Sequence, residues 1–344
     1  MENIHGGDIY SYENVVDFSA NINPLKTPEN ILTAVRESLC QMHHYPDMFC
    51  RELRQAIGKQ EDIEPEAVIC GNGAADLIYR LMYAVKPKKA LVLAPGFAEY
   101  EQALKAVGSQ VEYYYLNHDT FALEENFVEV LTKELDMVCL CNPNNPTGKV
   151  IEKSLMLHIS QVCKDKGIFL LIDECFNDFL DSPQKYTMME QAKKDSHIFI
   201  LKAFTKMYGM AGIRLGYGIC RDSRLLERMY QCGSPWNVSS PAQAAGVAAL
   251  KEKEFVEITR AYIKKEKKFL YESLGQMGIQ YWNSGANYIF FQAKEGLKEA
   301  LLAKGILIRD CSNYQGLTKG YYRIAIKSAK ENQMLIEALR EVIC

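Results

Sequence analysis

The middle of the chain alternates short, wholly apolar runs with longer segments of helical character. ALVLAP (90–95), MVCLCNP (137–143), IFLLIDE (168–174) and HIFILKA (197–203) are apolar on both faces, which predicts strands of a parallel sheet covered by helices. Between them, GFAEYEQALKAVG, EKSLMLHISQVCKDKG and YTMMEQAKKDS have room for crossover helices. This alternation predicts an α/β fold built on a large, mostly parallel open sheet. The final third changes character. Residues 241–278, rich in Ala, Lys and Glu, predict consecutive helices, and NYIFFQA, GILIRD and YYRIAI predict strands of a smaller α+β unit. The first two dozen residues, rich in Gly and Asn, predict an extended arm. The expected division is therefore an arm and part of the small domain at 1–29, a large α/β domain at 30–245 and a small α+β domain at 246–344. Its boundary falls around WNVSSPAQAAG.

Several predicted strands end in polar or glycine-rich residues. In open α/β sheets, ligands sit outside the carboxyl ends of the strands, so these endings should meet in space. AVICGNGAADLIYRLM runs from a strand through Gly71-Asn72-Gly73 into a helix. Such a turn suits a phosphate, because glycine lets backbone approach closely and a helix start offers N–H groups; an ordinary strand-to-helix turn explains it equally. CNPNNPTGKV combines fixed prolines with Asn144 and Asn145, each able to donate and accept. IFLLIDECF drives Asp173 and Glu174 out of an apolar strand. A buried carboxylate there needs a cation or hydrogen-bond donors. Glu174 also fits a helix cap or a surface acid.

FILKAFTKMYGMAGIRLGYG places three cations just past a strand: Lys202, Lys206 and Arg214. A lysine in a semi-apolar pocket has a lowered pKa and becomes a usable amine toward an aldehyde. Lys202 reads as a solvated surface charge, Lys206 as the amine, and Arg214 as a cation within reach of the same ligand. An amine, a carboxylate, an amide, a phosphate cradle and an arginine together form the set that pyridoxal 5′-phosphate requires.

Composition narrows the field. A chain of 344 residues, 48% hydrophobic and 24% charged, has the profile of a soluble globular protein. Its formal net charge of −3, with no basic tract interleaved with aromatics, argues against a nucleic-acid partner. No apolar stretch approaches membrane-spanning length, and the N-terminus MENIHGGDIYSYENV lacks a signal-peptide core, so no membrane partner is expected. The eleven cysteines are scattered without a C-x-x-C, which predicts reduced thiols in a cytoplasmic protein and no metal site.

NPNNPTG, DECF, FTK and GIRLGY match in type, order and spacing the motifs of fold-type-I pyridoxal-phosphate enzymes. The chain thus resembles the class I/II aminotransferase superfamily over essentially its whole length. The resemblance implies that Lys206 bonds the cofactor aldehyde and Asp173 pairs with its ring nitrogen. It implies that Asn145 bonds the 3′-oxygen, that Phe97 stacks on the ring, and that Gly73, Ala74, Thr205 and Arg214 surround the phosphate. Tyr45, in HYPD, would reach the phosphate from the other subunit of a homodimer. Within the superfamily, HGG (5–7), DFSANINPL (17–25), PGFAEY (95–100), Phe176 in DECF, ILIRDCSNYQGL and YYRIAI side with decarboxylases of L-threonine O-3-phosphate. Histidinol-phosphate aminotransferases, the alternative, carry tyrosine in place of Phe176. The decarboxylase branch supplies (R)-1-amino-2-propanol O-2-phosphate to cobalamin, and serine phosphate is a close substrate. That branch implies Arg323 on the substrate carboxylate, and His5, Asn21 and Arg309 on its phosphate, with Asn145 also touching substrate; Lys327 is a weaker candidate and fits a surface charge. Two departures stand out: Ala203 occupies a place where serine often bonds the cofactor phosphate, and GNGAAD has Ala74 and Ala75 directly after its second glycine, where acidic or hydroxyl residues are common.

Overall fold

The structure, a computed structural model, describes residues 5–343; residues 1–4 of the expected arm, and Cys344, lie outside it. In chain order the strands are β1 (Val16–Asp17), β2 (Val68–Gly71), β3 (Lys89–Ala94), β4 (Gln110–Tyr115), β5 (Met137–Cys141), β6 (Phe169–Asp173) and β7 (Ile198–Ala203). They continue as β8 (Gly216–Ile219), β9 (Gln280–Trp282), β10 (Tyr288–Gln292), β11 (Ile306–Leu307), β12 (Arg309–Asp310) and β13 (Tyr321–Ala325). Seven of them form one sheet in the order β2-β8-β7-β6-β5-β3-β4. Strands β7, β6, β5, β3 and β4 run parallel, while β8 is antiparallel to both of its neighbours. The four apolar runs predicted as strands become β3, β5, β6 and β7.

Those strands are buried on both faces because helices cover both. Leu170 and Ile172 pack on one side with Leu155, Met156 and Ile159 of the helix Lys153–Lys166. Leu171, Met137, Cys139 and Cys141 pack on the other with Leu77 and Leu81 of the helix Ala74–Val85 and Tyr100 of the helix Ala98–Ala106. Burying an aliphatic side chain of this kind contributes about 1.5–3 kcal/mol, so this core, not local propensity, holds the sheet.

The segment YTMMEQAKKDS yields only the short helix Met189–Ala192. Its start is captured by Glu174, which accepts the Thr187 hydroxyl at 2.6 Å and the Met188 N–H at 2.7 Å, and β7 already begins at Ile198. GILIRD splits in two. Ile306–Leu307 pairs parallel with β1, and Arg309–Asp310 pairs antiparallel with β13, the change of partner falling at Ile308. The second sheet has the order β12-β13-β10-β9 and packs against the helices Lys253–Gln276 and Ala329–Ile343.

Strand direction decides where the chemistry gathers. Since β8 is antiparallel to both β2 and β7, β2 runs parallel to β7, and Gly71 and Ala203 both stand opposite Gly216. The ends of β2, β3, β5, β6 and β7 therefore open at one edge of the sheet, together with the start of β8.

Candidate active site

At that edge lies a pocket of about 250 Å³. Of the predicted residues it is lined by His5, Asn21, Ala74, Phe97, Asn145, Asp173, Thr205, Lys206, Arg214, Arg309 and Arg323. A larger, more open cleft near Lys264 and Lys267 holds none of them.

Asp173 ends β6 and is 4% exposed. Its Oδ1 accepts the Cys175 N–H at 2.8 Å and its Oδ2 accepts the Tyr100 hydroxyl at 2.6 Å. Burial raises its pKa, and those two donors oppose the rise. Such a carboxylate remains short of a cationic partner. Lys206, in the short helix Phe204–Met207, stands 5.9 Å from the centre of the Phe176 ring. Its pKa is lowered by burial first, then by the Arg323 and Arg214 charges, which favours the neutral amine. Phe176 is buried edge-on against Tyr288, so it offers an apolar wall and no hydroxyl.

The turn after β5 is more than a turn. Asn142 Oδ1 accepts the Ile151 N–H at 2.9 Å, and Asn144 donates to Pro95 O at 3.1 Å and Thr147 Oγ1 at 3.0 Å. Those two asparagines are consumed in holding the loop, and only Asn145 faces the pocket. Its Oδ1 accepts from Arg323, with the Tyr314 hydroxyl at 3.4 Å, which turns the amide N–H₂ toward the pocket.

The cradle after β2 depends on absent side chains. Gly73 has φ +85°, and a Cβ there would stand 2.6 Å from Arg214 Nη2; a Cβ on Gly216 would stand 2.7 Å from Ala74 N. Both glycines bring backbone close to the start of a helix, where N–H groups face an anion. Ala74, Ala75 and Ala203 line this end without polar side chains, so Thr205, Arg214 and backbone supply its polarity.

The opposite wall comes from distant segments. Pairing of β1 with β11 carries the N-terminal arm to the second sheet, where Arg309 and Arg323 are register partners on neighbouring strands. Gly6 packs so tightly that a Cβ would meet Ser19 O at 2.4 Å, and Gly7 donates to Ser19 Oγ at 2.7 Å. HGG is thus the means of seating His5 beside the pocket. Arg323 is 5% exposed and lies on an interior strand; its Nη2 donates to Ser19 O at 2.9 Å. Arg309 donates to Asp310 O at 2.6 Å and Asn313 Oδ1 at 2.8 Å. Arg323 Nε is buried with no partner among the described residues, which marks this donor as ligand-facing.

Two expectations are corrected. Lys202 is not a solvated surface charge. It is 8% exposed, 3.2 Å from Glu61 and 3.4 Å from Asp178, and the attraction of Asp178, Tyr217, Glu61 and Glu174 outweighs burial and raises its pKa. Glu174 is no surface acid either: it is 1% exposed and ties Thr187 and Met188 to the sheet. Tyr45 lies outside the pocket of its own chain, 78% exposed and stacked on Trp236 at 4.5 Å. Tyr100 and Glu99 line the site or touch its carboxylate yet were passed over within PGFAEY; the helical spacing of Tyr100 behind Phe97 is the signal that could have found it.

Comparison with known proteins gives a consistent result. The family Aminotransferase class I and II matches residues 13–339. A threonine-phosphate decarboxylase of Salmonella typhimurium is 36% identical, over 98% of this chain and 96% of that protein. A histidinol-phosphate aminotransferase of Caldicellulosiruptor saccharolyticus is 30% identical, over 96% and 92%. Among solved structures, the histidinol-phosphate aminotransferase from Clostridium acetobutylicum superposes with a TM-score of 0.89 at 31% identity, covering 94% of this chain and 98% of that one.

Proposed function

The chain belongs to the class I and II aminotransferase family, and from this premise we propose that it is a pyridoxal-phosphate-dependent decarboxylase of L-threonine O-3-phosphate, with L-serine O-phosphate a close second substrate. Its product is then (R)-1-amino-2-propanol O-2-phosphate, destined for cobalamin. The cofactor is pyridoxal 5′-phosphate, and the residues present fit it. The space kept by Gly73 beside Arg214 suits a phosphate, and the buried Asp173 carboxylate, fixed by Tyr100 and Cys175, lacks only a cation.

In this reading Lys206 holds the cofactor aldehyde, Asp173 its ring nitrogen, Asn145 its 3′-oxygen and Phe97 its ring face. Gly73, Ala74, Thr205 and Arg214 hold its phosphate. When bound, the cofactor would supply an electron sink to the substrate's α-carbon. The protein's own part is orientation. Arg323 grips the substrate carboxylate as a fork, while His5, Asn21 and Arg309 fix its phosphate at the far wall. Two anchors on opposite groups of one small molecule would fix its orientation in the pocket. Lys206 would return the proton to the α-carbon, its lowered pKa making its ammonium form a readier acid.

The observation that carries this reading is the convergence of His5 and Asn21 with Arg309 and Arg323 in the pocket of Lys206, a second anionic site beside the first. Histidinol-phosphate aminotransfer is the competing activity, favoured by the solved relative. Side-by-side assay of threonine phosphate, serine phosphate and histidinol phosphate tests the choice. Carbon dioxide from the first two is expected; turnover of histidinol phosphate alone would overturn the assignment.

The same proposal includes a homodimer. Tyr45 and Trp236, at 78% and 44% exposed and stacked on each other, make an apolar surface that suits a partner subunit, and Tyr45 then reaches the neighbouring cofactor phosphate. It also includes the division into large and small domains near residue 245, and a cytoplasmic setting. No helix among the described residues is long and apolar enough to cross a membrane.

A further inference from the structure

The pocket contains a carboxylate that the chemistry above does not use. Glu99 lies in the first turn of the helix Ala98–Ala106, two residues beyond Phe97, with its side chain 13% exposed. Its Oε1 is 3.3 Å from His5 Nε2, and its Oε2 is buried with no hydrogen-bond partner among the described residues. His5 faces it from the arm, Lys206 from the short helix, Asp173 from β6 and Arg309 from β12; Arg323 and Arg214 line the same pocket. A buried carboxylate oxygen without a partner is costly, so the position calls for a ligand atom or a proton.

We propose that Glu99 is the proton-carrying group of the substrate-phosphate site: it takes up one proton as the phosphate enters and donates an O–H hydrogen bond to a phosphate oxygen. This rests on the pocket being a site for a phosphorylated amino acid. An ionised carboxylate beside His5 and Arg309 would repel an incoming dianion, whereas a protonated one adds a donor to those two. The proton comes from solvent and no other bond changes.

The surroundings place the proton on the carboxyl and not on the imidazole. Burial raises the Glu99 pKa to about 7; its own backbone N–H, Lys206 and Arg309 oppose the rise, and Asp173 adds to it. Burial and the Arg309 charge lower that of His5. Glu99 is thus poised to change state in the neutral range, and phosphate affinity falls about tenfold for each pH unit above the Glu99 pKa.

Calorimetry of sulfate binding to the cofactor-loaded protein tests this, at about pH 8 in buffers of unlike ionisation enthalpy. Sulfate stays a dianion, so any proton taken up lands on the protein. The expected result is close to one proton per sulfate bound, near none in Glu99→Gln, and retention of the uptake in Glu99→Asp. The KM for threonine phosphate should rise with pH in the parent protein and stay flat in Glu99→Gln. Sulfate binding without proton uptake, or an uptake that survives Glu99→Gln or disappears in Glu99→Asp, overturns the role of Glu99 and leaves the phosphate site standing. Absence of sulfate binding in competition with threonine phosphate overturns both.

Discussion

Lys206 and Lys202, four positions apart, illustrate how much a side chain's surroundings decide. Lys206→Ala should abolish the visible absorption band of the bound cofactor with little change in stability. Lys202→Met should keep the band and lose about 3–5 kcal/mol on urea unfolding, because it strands Glu61 and Asp178 without their buried cation. The reverse pattern would exchange their roles. Glu99 makes a pH-dependent prediction. A carboxyl whose folded pKa is raised stabilises the fold relative to its ionised form at low pH, and that advantage fades as pH climbs from the unfolded value. With the shift running from 4.5 to about 7, the cofactor-free protein should lose about 3 kcal/mol between pH 4.5 and 7.5, and Glu99→Gln should flatten the slope. An unchanged slope in denaturant titrations at the two pH values would contradict it. At this scale the sequence was readable where chemistry is local. Asp173, Asn145 and Lys206 stand at strand ends in compact motifs, and the pocket contains all three. Lys202 was misread, and for Glu174 the helix-cap reading holds while the surface one fails, because their partners, Glu61 and Thr187, are brought in by tertiary folding.

At the level of elements, the turn from β2 into the helix Ala74–Val85 is the most exacting piece. Gly73→Ala places a Cβ on Arg214 at a positive φ, so cofactor affinity, followed by absorbance titration, should fall at least about tenfold while the sheet persists. Unchanged affinity would mean that the phosphate lies elsewhere. Strand polarity explains why the sequence pattern was informative here: apolar runs gave β3, β5, β6 and β7, and parallel order put their polar endings at one edge. Strands β4, β8 and β9 carried weaker signals. β4 is a partly exposed edge with mixed polarity, and β8 is a short Gly-rich stretch that draws its burial from neighbours. The pairing that seats the arm was not readable from the residues themselves, since two residues, Val16–Asp17, join Ile306–Leu307 from the other end of the chain; only the family resemblance put the arm with the small domain.

For the whole molecule, the site is assembled from the sheet edge, the arm and the second sheet, and the proposed dimer completes it. Tyr45→Phe should weaken cofactor binding about tenfold, the loss of one hydrogen bond to a charged group, without altering the sedimentation coefficient. Full affinity in that variant would remove Tyr45 from the site. The central claim is that two anchors, Arg323 on the carboxylate and the His5–Asn21–Arg309 wall on the phosphate, direct the cofactor toward loss of carbon dioxide. It is tested most directly by a single incubation of the loaded enzyme with threonine phosphate labelled in its carboxyl carbon, following released label and the cofactor spectrum together. All consumed substrate should appear as labelled carbon dioxide, without any added 2-oxo acid, and the spectrum should return to its starting form. Retention of the label in a 2-oxo acid, with the cofactor left in its amine form, would contradict it.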